Sequence, residues 1–288
     1  MNTQNMIWKP LTMDFNPELN DALQQQHHAA QFIALVGRHL IPRQANDSNT
    51  NMQYIFDGDL LLGNALPNGM RVALHLTDLE ISILDKENIA KKVIALEGKT
   101  RKEVFNELKQ VLSDSGIDVS GFRNELHYEI PSHQLDMGAV FSVRNKYHLV
   151  ENTLYRHNAE IVIRKIANAY DHSEPVRVWP HHFDTGSFIP VSRNKKDELT
   201  QSIGIGWAMP DGMVNEPYYY LSFWSAKTDG DLKALPALTA GQWMIPNWNG
   251  AVLKQSEILQ QDSAEKQSEL VESFYRKGIE ILLTYFSK

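Results

Sequence analysis

Apolar and polar positions alternate along this chain with two distinct periods. Asn16 followed by Pro17 places a capping side chain before a proline at the first helical position. Leu19, Leu23, Ala30, Ile33, Val36 and Leu40 then recur at helical spacing until Pro42 ends the run, which predicts a helix. Next come two alternating stretches, 54–66 and 70–84, separated by Pro67-Asn68-Gly69. Asn-Gly tolerates positive φ, so these stretches predict a hairpin, with a phase change near Asp78 read as a bulge. Thr100 and Glu103 form a capping box, opening a helix that carries Val104, Phe105, Leu108, Val111 and Leu112. Residues 125–130 read as a strand and 146–170 as a second long helix. Extended structure is predicted at 176–187, 202–209 and 218–225, and Asp262 or Ser263 caps a final helix.

These elements predict an α+β fold: mainly antiparallel β-hairpins packed against three or four long α-helices. No linker-like boundary is visible, so residues 1–288 read as one structural unit. Gly-Asn-Ala-Leu-Pro-Asn-Gly-Met at 63–70 recurs as Gly-Trp-Ala-Met-Pro-Asp-Gly-Met at 206–213, with five of eight positions identical. Two interlocked pseudo-repeats, about 17–145 and 146–288, would explain the flanking matches. Convergent turn chemistry would explain the Pro and Gly alone, and both readings stay open.

Composition narrows the function. With 42% hydrophobic residues among 288, the chain can bury a substantial core. The absence of cysteine excludes disulfides, thiolate-bound zinc, iron–sulfur clusters and thiol catalysis. With 28 Lys+Arg against 35 Asp+Glu, the net charge of −7 argues against nucleic acid as a partner. No stretch approaches the ~18–20 apolar residues that span a bilayer. The start, Met1-Asn2-Thr3-Gln4-Asn5, shows no export signal, so the expected compartment is the cytoplasm. Oligomeric state has no signature here.

The sharpest chemical segment is Val178-Trp179-Pro180-His181-His182-Phe183-Asp184. On a strand, His182 and Asp184 would share a face, and a carboxylate beside an imidazole fixes its tautomer and raises its basicity. They are therefore the candidate catalytic pair. Upstream, His127 and Glu129 have the same alternate spacing. Were the two segments neighbours, His182, Asp184, His127 and Glu129 would suit a divalent metal with an open position. The competing reading is a buried polar pair that fixes the strand. His27 and His28 are adjacent on a helix, about 100° apart, so they cannot chelate from one face; one would face the interior and the other solvent. Five of six tryptophans fall in the C-terminal half, with Tyr218-Tyr219-Tyr220. Trp179, Trp207, Tyr219 and Trp224 are the candidate ligand-binding rings, for a sugar, an aromatic metabolite or an acyl group. No nucleotide-binding glycine motif, nucleophile elbow or His-Glu-x-x-His helix is present.

The segments 26–40, 67–69 and 178–188, the run Glu216-Pro217-Tyr218-Tyr219-Tyr220, Met244-Ile245-Pro246 and the final helix together resemble the bacterial domain of unknown function family 5996. The likeness runs in order over nearly the whole chain. Where that family has Trp-Gly-Ser-Phe-Asp, this chain keeps Trp179, Phe183 and Asp184 but has Pro180, His181 and His182 between them. The resemblance implies a bacterial protein and carries no catalytic residues. The expectation is a small-molecule-binding protein or enzyme with its pocket at 179–184; the alternative is a non-catalytic interaction protein.

Overall fold

A computed structural model describes residues 6–226 and 235–287. The N-terminal residues Met1 to Asn5, on which the missing export signal was read, lie outside the described residues. The chain divides into two compact units: one comprises 16–153 and 177–183, the other 1–15, 154–176 and 184–288.

The first unit begins with α1 (Pro17–Leu40), capped by the Asn16 side chain, which accepts from the Leu19 N–H at 2.8 Å. The middle of α1 is buried on every side, including Gln25, Gln26, His27, His28 and Gln31. Strands β1 (Met52–Ile55), β2 (Leu60–Gly63), β3 (Arg71–His75), β4 (Glu80–Leu84) and β5 (Ala90–Ala95) follow as an antiparallel meander. Helix α2 (Arg101–Asp114) starts at the Thr100–Glu103 capping box and packs near β5. After α3 (Lys146–Ala167), which crosses from this unit into the second, strand β6 (Arg177–Trp179) joins β1 through Met52 and Val178. Helix α1 covers β2 and β3, burying Val72 and Leu74.

The second unit contains β7 (Asp184–Arg193), β8 (Leu199–Ala208), β9 (Tyr218–Ser225), β10 (Gln242–Trp243) and β11 (Gly250–Lys254), then α4 (Gln255–Leu259) and α5 (Ala264–Phe286). These strands are antiparallel in the order β10-β11-β9-β8-β7. Helix α5, capped by Ser263, packs on β8, β9 and β11 through Val271, Phe274, Tyr275, Ile279 and Leu282. On that face Trp207 and Tyr219 are directly paired and almost wholly buried.

The expected arrangement of hairpins packed against three or four long helices is corrected. The strands run as wide antiparallel sheet, six side by side in the first unit and five in the second. Local patterning shows each turn but not the pairing of Met52 with Val178, which lies far away in sequence and widens the sheet. Each predicted hairpin arm is itself two strands. Asp57-Gly58-Asp59 turns between β1 and β2, with φ of 82° at Gly58 and 49° at Asp59. The expected bulge at Asp78 is a full turn between β3 and β4, closed by Leu79 at φ 49°. Among the described residues no helix is long and apolar enough to cross a membrane.

Candidate functional site

Residues 125–130, expected as a strand, form irregular chain instead. Of these, Glu125, Leu126, Tyr128, Glu129 and Ile130 line a cavity of about 390 Å³ in the first unit, together with Arg101 and Asp136. Pro131 makes strand continuation unfavourable here, and the chain is held by side chains instead. Tyr128 donates its hydroxyl to Gln31 Oε1 at 2.8 Å, fastening the segment to α1. Burial pushes the Tyr128 hydroxyl well above its ordinary pKa, with Arg38 opposing, so it stays a neutral donor.

At one end of the cavity Asp136 closes a short helical turn after His133. It accepts from the His133 N–H at 3.0 Å and pairs with Arg101. Burial alone would raise its carboxyl pKa; the His133 amide, His28 and Arg101 outweigh that and hold it below the usual range. His133 donates from Nε2 to Asp21 at 2.9 Å, and its ring lies 5.4 Å from that of His28. His28 is fully buried. Its Nε2 faces the Pro131 carbonyl at 3.2 Å, and a carbonyl only accepts, so Nε2 carries the proton. Its Nδ1 lies 3.7 Å from Asp136 Oδ1. Burial, reinforced by the Arg101 charge, lowers the His28 pKa to about 4 against the pull of Asp136, leaving a neutral imidazole near pH 7.

The turn 180–183 stands beside this segment. His27 and Gln31 both direct ring or amide nitrogens at the Pro180 carbonyl, at 2.8 and 2.9 Å. The His27 ring stacks on Phe183 at 5.0 Å, and the His181 ring lies 5.9 Å from Tyr128 and 4.4 Å from His182. Thus the His-rich turn and the cavity wall meet at Tyr128.

Several expectations change with this geometry. His182 and Asp184 do not alternate along one strand: residues 180–183 form a turn, with Phe183 at φ 52°, and only Asp184 begins β7. Asp184 accepts from the Tyr220 hydroxyl at 2.6 Å in the second unit. His127 accepts from Arg38 at 2.8 Å through Nδ1, and its Nε2 faces Asp47 at 3.3 Å, so both nitrogens are engaged. Glu129 lines the cavity. Among the described residues no three His, Asp or Glu side chains are placed to hold a metal ion, and the set of His182, Asp184, His127 and Glu129 is not such a group. The expected rings are likewise dispersed. Trp207 stacks against Tyr155 at 6.3 Å with Arg156 over it at 5.1 Å, and Tyr219 meets Trp8 and Tyr275. Both are core, whereas Trp224 is 48% exposed and Trp179 borders His181. Nor does one of His27 and His28 face solvent; both are fully buried. The signal for them was the unbroken polar run Gln24-Gln25-Gln26-His27-His28, entering the part of α1 that has no solvent face. No family model, curated protein or solved structure matches this chain.

Proposed function

We propose that the first unit binds a small polyhydroxylated molecule, of the size of one or two sugar rings, in the cavity beside Tyr128. The observation that carries this reading is the pair of carboxylates on the cavity wall, Glu125 and Glu129, whose side chains have no ion pair or hydrogen bond among the described residues. Arg101 is committed to Asp136, so the wall is rich in acceptors and poor in unengaged cations. Vicinal hydroxyls supply paired donors to such carboxylates, while the Asn124 amide and Ser132 hydroxyl both donate and accept. A volume of about 390 Å³ falls within the range of small-molecule sites.

The proposal places this activity in the cytoplasm and takes the collinear segments quoted above as membership of the family of unknown function they resemble. Its test is calorimetry with a panel of hexoses, pentoses, inositols and disaccharides. At least one should bind saturably, and Glu129→Gln should weaken it about tenfold by replacing a charged acceptor. Absence of binding across the panel, or a Glu129→Gln variant with unchanged affinity, would overturn the reading.

A further inference from the structure

The second unit has a different feature, on the face of β9 that turns away from α5. Side chains alternate along a strand, so Tyr219 points to Tyr275 while Tyr218 and Tyr220 share the opposite face. Gly206 is the direct partner of Tyr220, and Gly186 is the partner of Gly206. A Cβ at Gly206 would overlap the Tyr220 ring, and one at Gly186 would come within 2.8 Å of its hydroxyl. These glycines therefore clear a track along which the Tyr220 ring lies across β8 to reach β7. There its hydroxyl donates to Asp184 Oδ2 at 2.6 Å. Trp248 lies over Gly250 in the same manner.

Three rings result, set steeply to one another. Tyr218 and Tyr220 are 6.5 Å apart at 58°, and Tyr220 and Trp248 are 6.3 Å apart at 76°. Tyr218 is buried in the core of this cluster, while Tyr220, Trp248, Met213 and Met244 are half-buried around it. Each tyrosine donates to a carboxylate: Tyr220 to Asp184, and Tyr218 to Asp211 at 2.6 Å. Both rings are thereby enriched in electron density. The second oxygen of Asp184, Oδ1, is shielded from solvent and has no hydrogen-bond partner among the described residues. Neither Asp184 nor Asp211 is paired with Lys or Arg among those residues. Asp184 is half-buried, and its shielded, unpartnered Oδ1 is better satisfied with a cation nearby.

We propose that this face binds a methylated ammonium group, with the half-buried Tyr220 and Trp248 as its walls, Tyr218 packed behind them and Asp184 as its counter-charge. Steep aromatic walls attract a cation through the ring quadrupole. A quaternary ammonium carries no N–H donors, so it needs none of the acceptors that the rings and thioethers lack. A metal ion is a poorer fit, because Asp184 and Asp211 each already accept from a tyrosine hydroxyl. The head group could belong to a free small molecule or to a methylated lysine side chain.

The experiment is proton NMR and calorimetry of the full chain with tetramethylammonium, choline, free trimethyl-lysine, a trimethyl-lysine peptide and unmethylated lysine, at fixed ionic strength. The N-methyl resonance should broaden and move upfield from ring currents, saturably, while unmethylated lysine binds at least about tenfold more weakly. Choline matching tetramethylammonium, with no gain from the peptide, assigns a free small molecule; tighter binding of the peptide assigns the side chain. Trp248→Leu should abolish the upfield shift while leaving saccharide binding in the first unit unchanged, which separates the two proposals. Should that variant fail to fold, Trp248→Phe keeps a ring of weaker quadrupole and should lose about threefold. No saturable binding of any methylated ammonium, or an equal effect of sodium or of unmethylated lysine, would overturn the proposal.

Discussion

Replacing His28 tests whether the interior behind Asp136 is as dry as its packing implies. The side chain is fully buried, and burial with the nearby Arg101 charge lowers its pKa from 6.5 to about 4. The folded chain therefore binds fewer protons than the unfolded chain between those values. Above pH 6.5 both states hold a neutral imidazole and His28 contributes no pH dependence. As pH falls below 6.5 the unfolded state gains a proton that the folded state excludes, so stability drops until the folded imidazole protonates near pH 4. Integrating the two titrations, the loss attributable to His28 is about 2 kcal/mol at pH 5. Carboxylates titrate mostly below that pH, so the window separates His28 from Asp136, whose pKa is itself held below the usual range. The assay is urea unfolding of the native chain and of His28→Phe, at pH 7 and pH 5. The variant loses the contact with Pro131 and is destabilised at both pH values, but the native chain should lose about 2 kcal/mol more between them. Parallel losses, differing by less than about 0.5 kcal/mol, would show that His28 takes up its proton in the folded state and would refute the burial argument.

Other substitutions test the framework around both sites. Thr100→Ala removes one half of the capping box that opens α2 and should cost about 1 kcal/mol by thermal or urea unfolding, with Thr100→Ser recovering most of it. Gly37→Ala drives a methyl group into the Asn49 carbonyl and to 2.9 Å from Thr50 Cα, where backbone cannot yield cheaply; a loss of about 1–3 kcal/mol is expected in the same measurement. Gly206→Ala displaces the Tyr220 ring and should destabilise the second unit by about 1–3 kcal/mol, seen as earlier unfolding by tryptophan fluorescence.

Elements defined by neighbours in sequence were readable before the structure. The Asn16 cap, the Thr100–Glu103 box, the turn at Pro67-Asn68-Gly69 and the strand at Tyr218–Ser225 depend on residues within a few positions of each other. Features that depend on distant pairing were not. Met52 meets Val178 across more than a hundred residues, and no periodicity encodes that. The local geometry of the candidate segments differs from the expected one for a related reason. Period-two reasoning at 179–184 assumed an unbroken strand, but Phe183 adopts positive φ and the chain turns. The same reasoning at 125–130 assumed a strand where side chains such as Tyr128 hold irregular backbone against α1. Tyr218, Tyr219 and Tyr220 alternate between two faces of β9, and Tyr219, one of the candidate ligand-binding rings, is on the face that α5 covers. The signal that would have distinguished the faces lies one strand over: glycine at 204 and 206, alternating with large apolar residues, leaves one face without side chains of its own.

The central claim is that the cavity beside Tyr128 is a binding site for a polyhydroxylated ligand. Hydrogen–deuterium exchange of the full chain, with and without the tightest saccharide from the panel, tests it most directly. The account predicts slowed exchange in residues 124–136, the irregular segment that forms the cavity wall, with α5 unchanged. Protection confined to other segments, or none at saturating ligand, would contradict it.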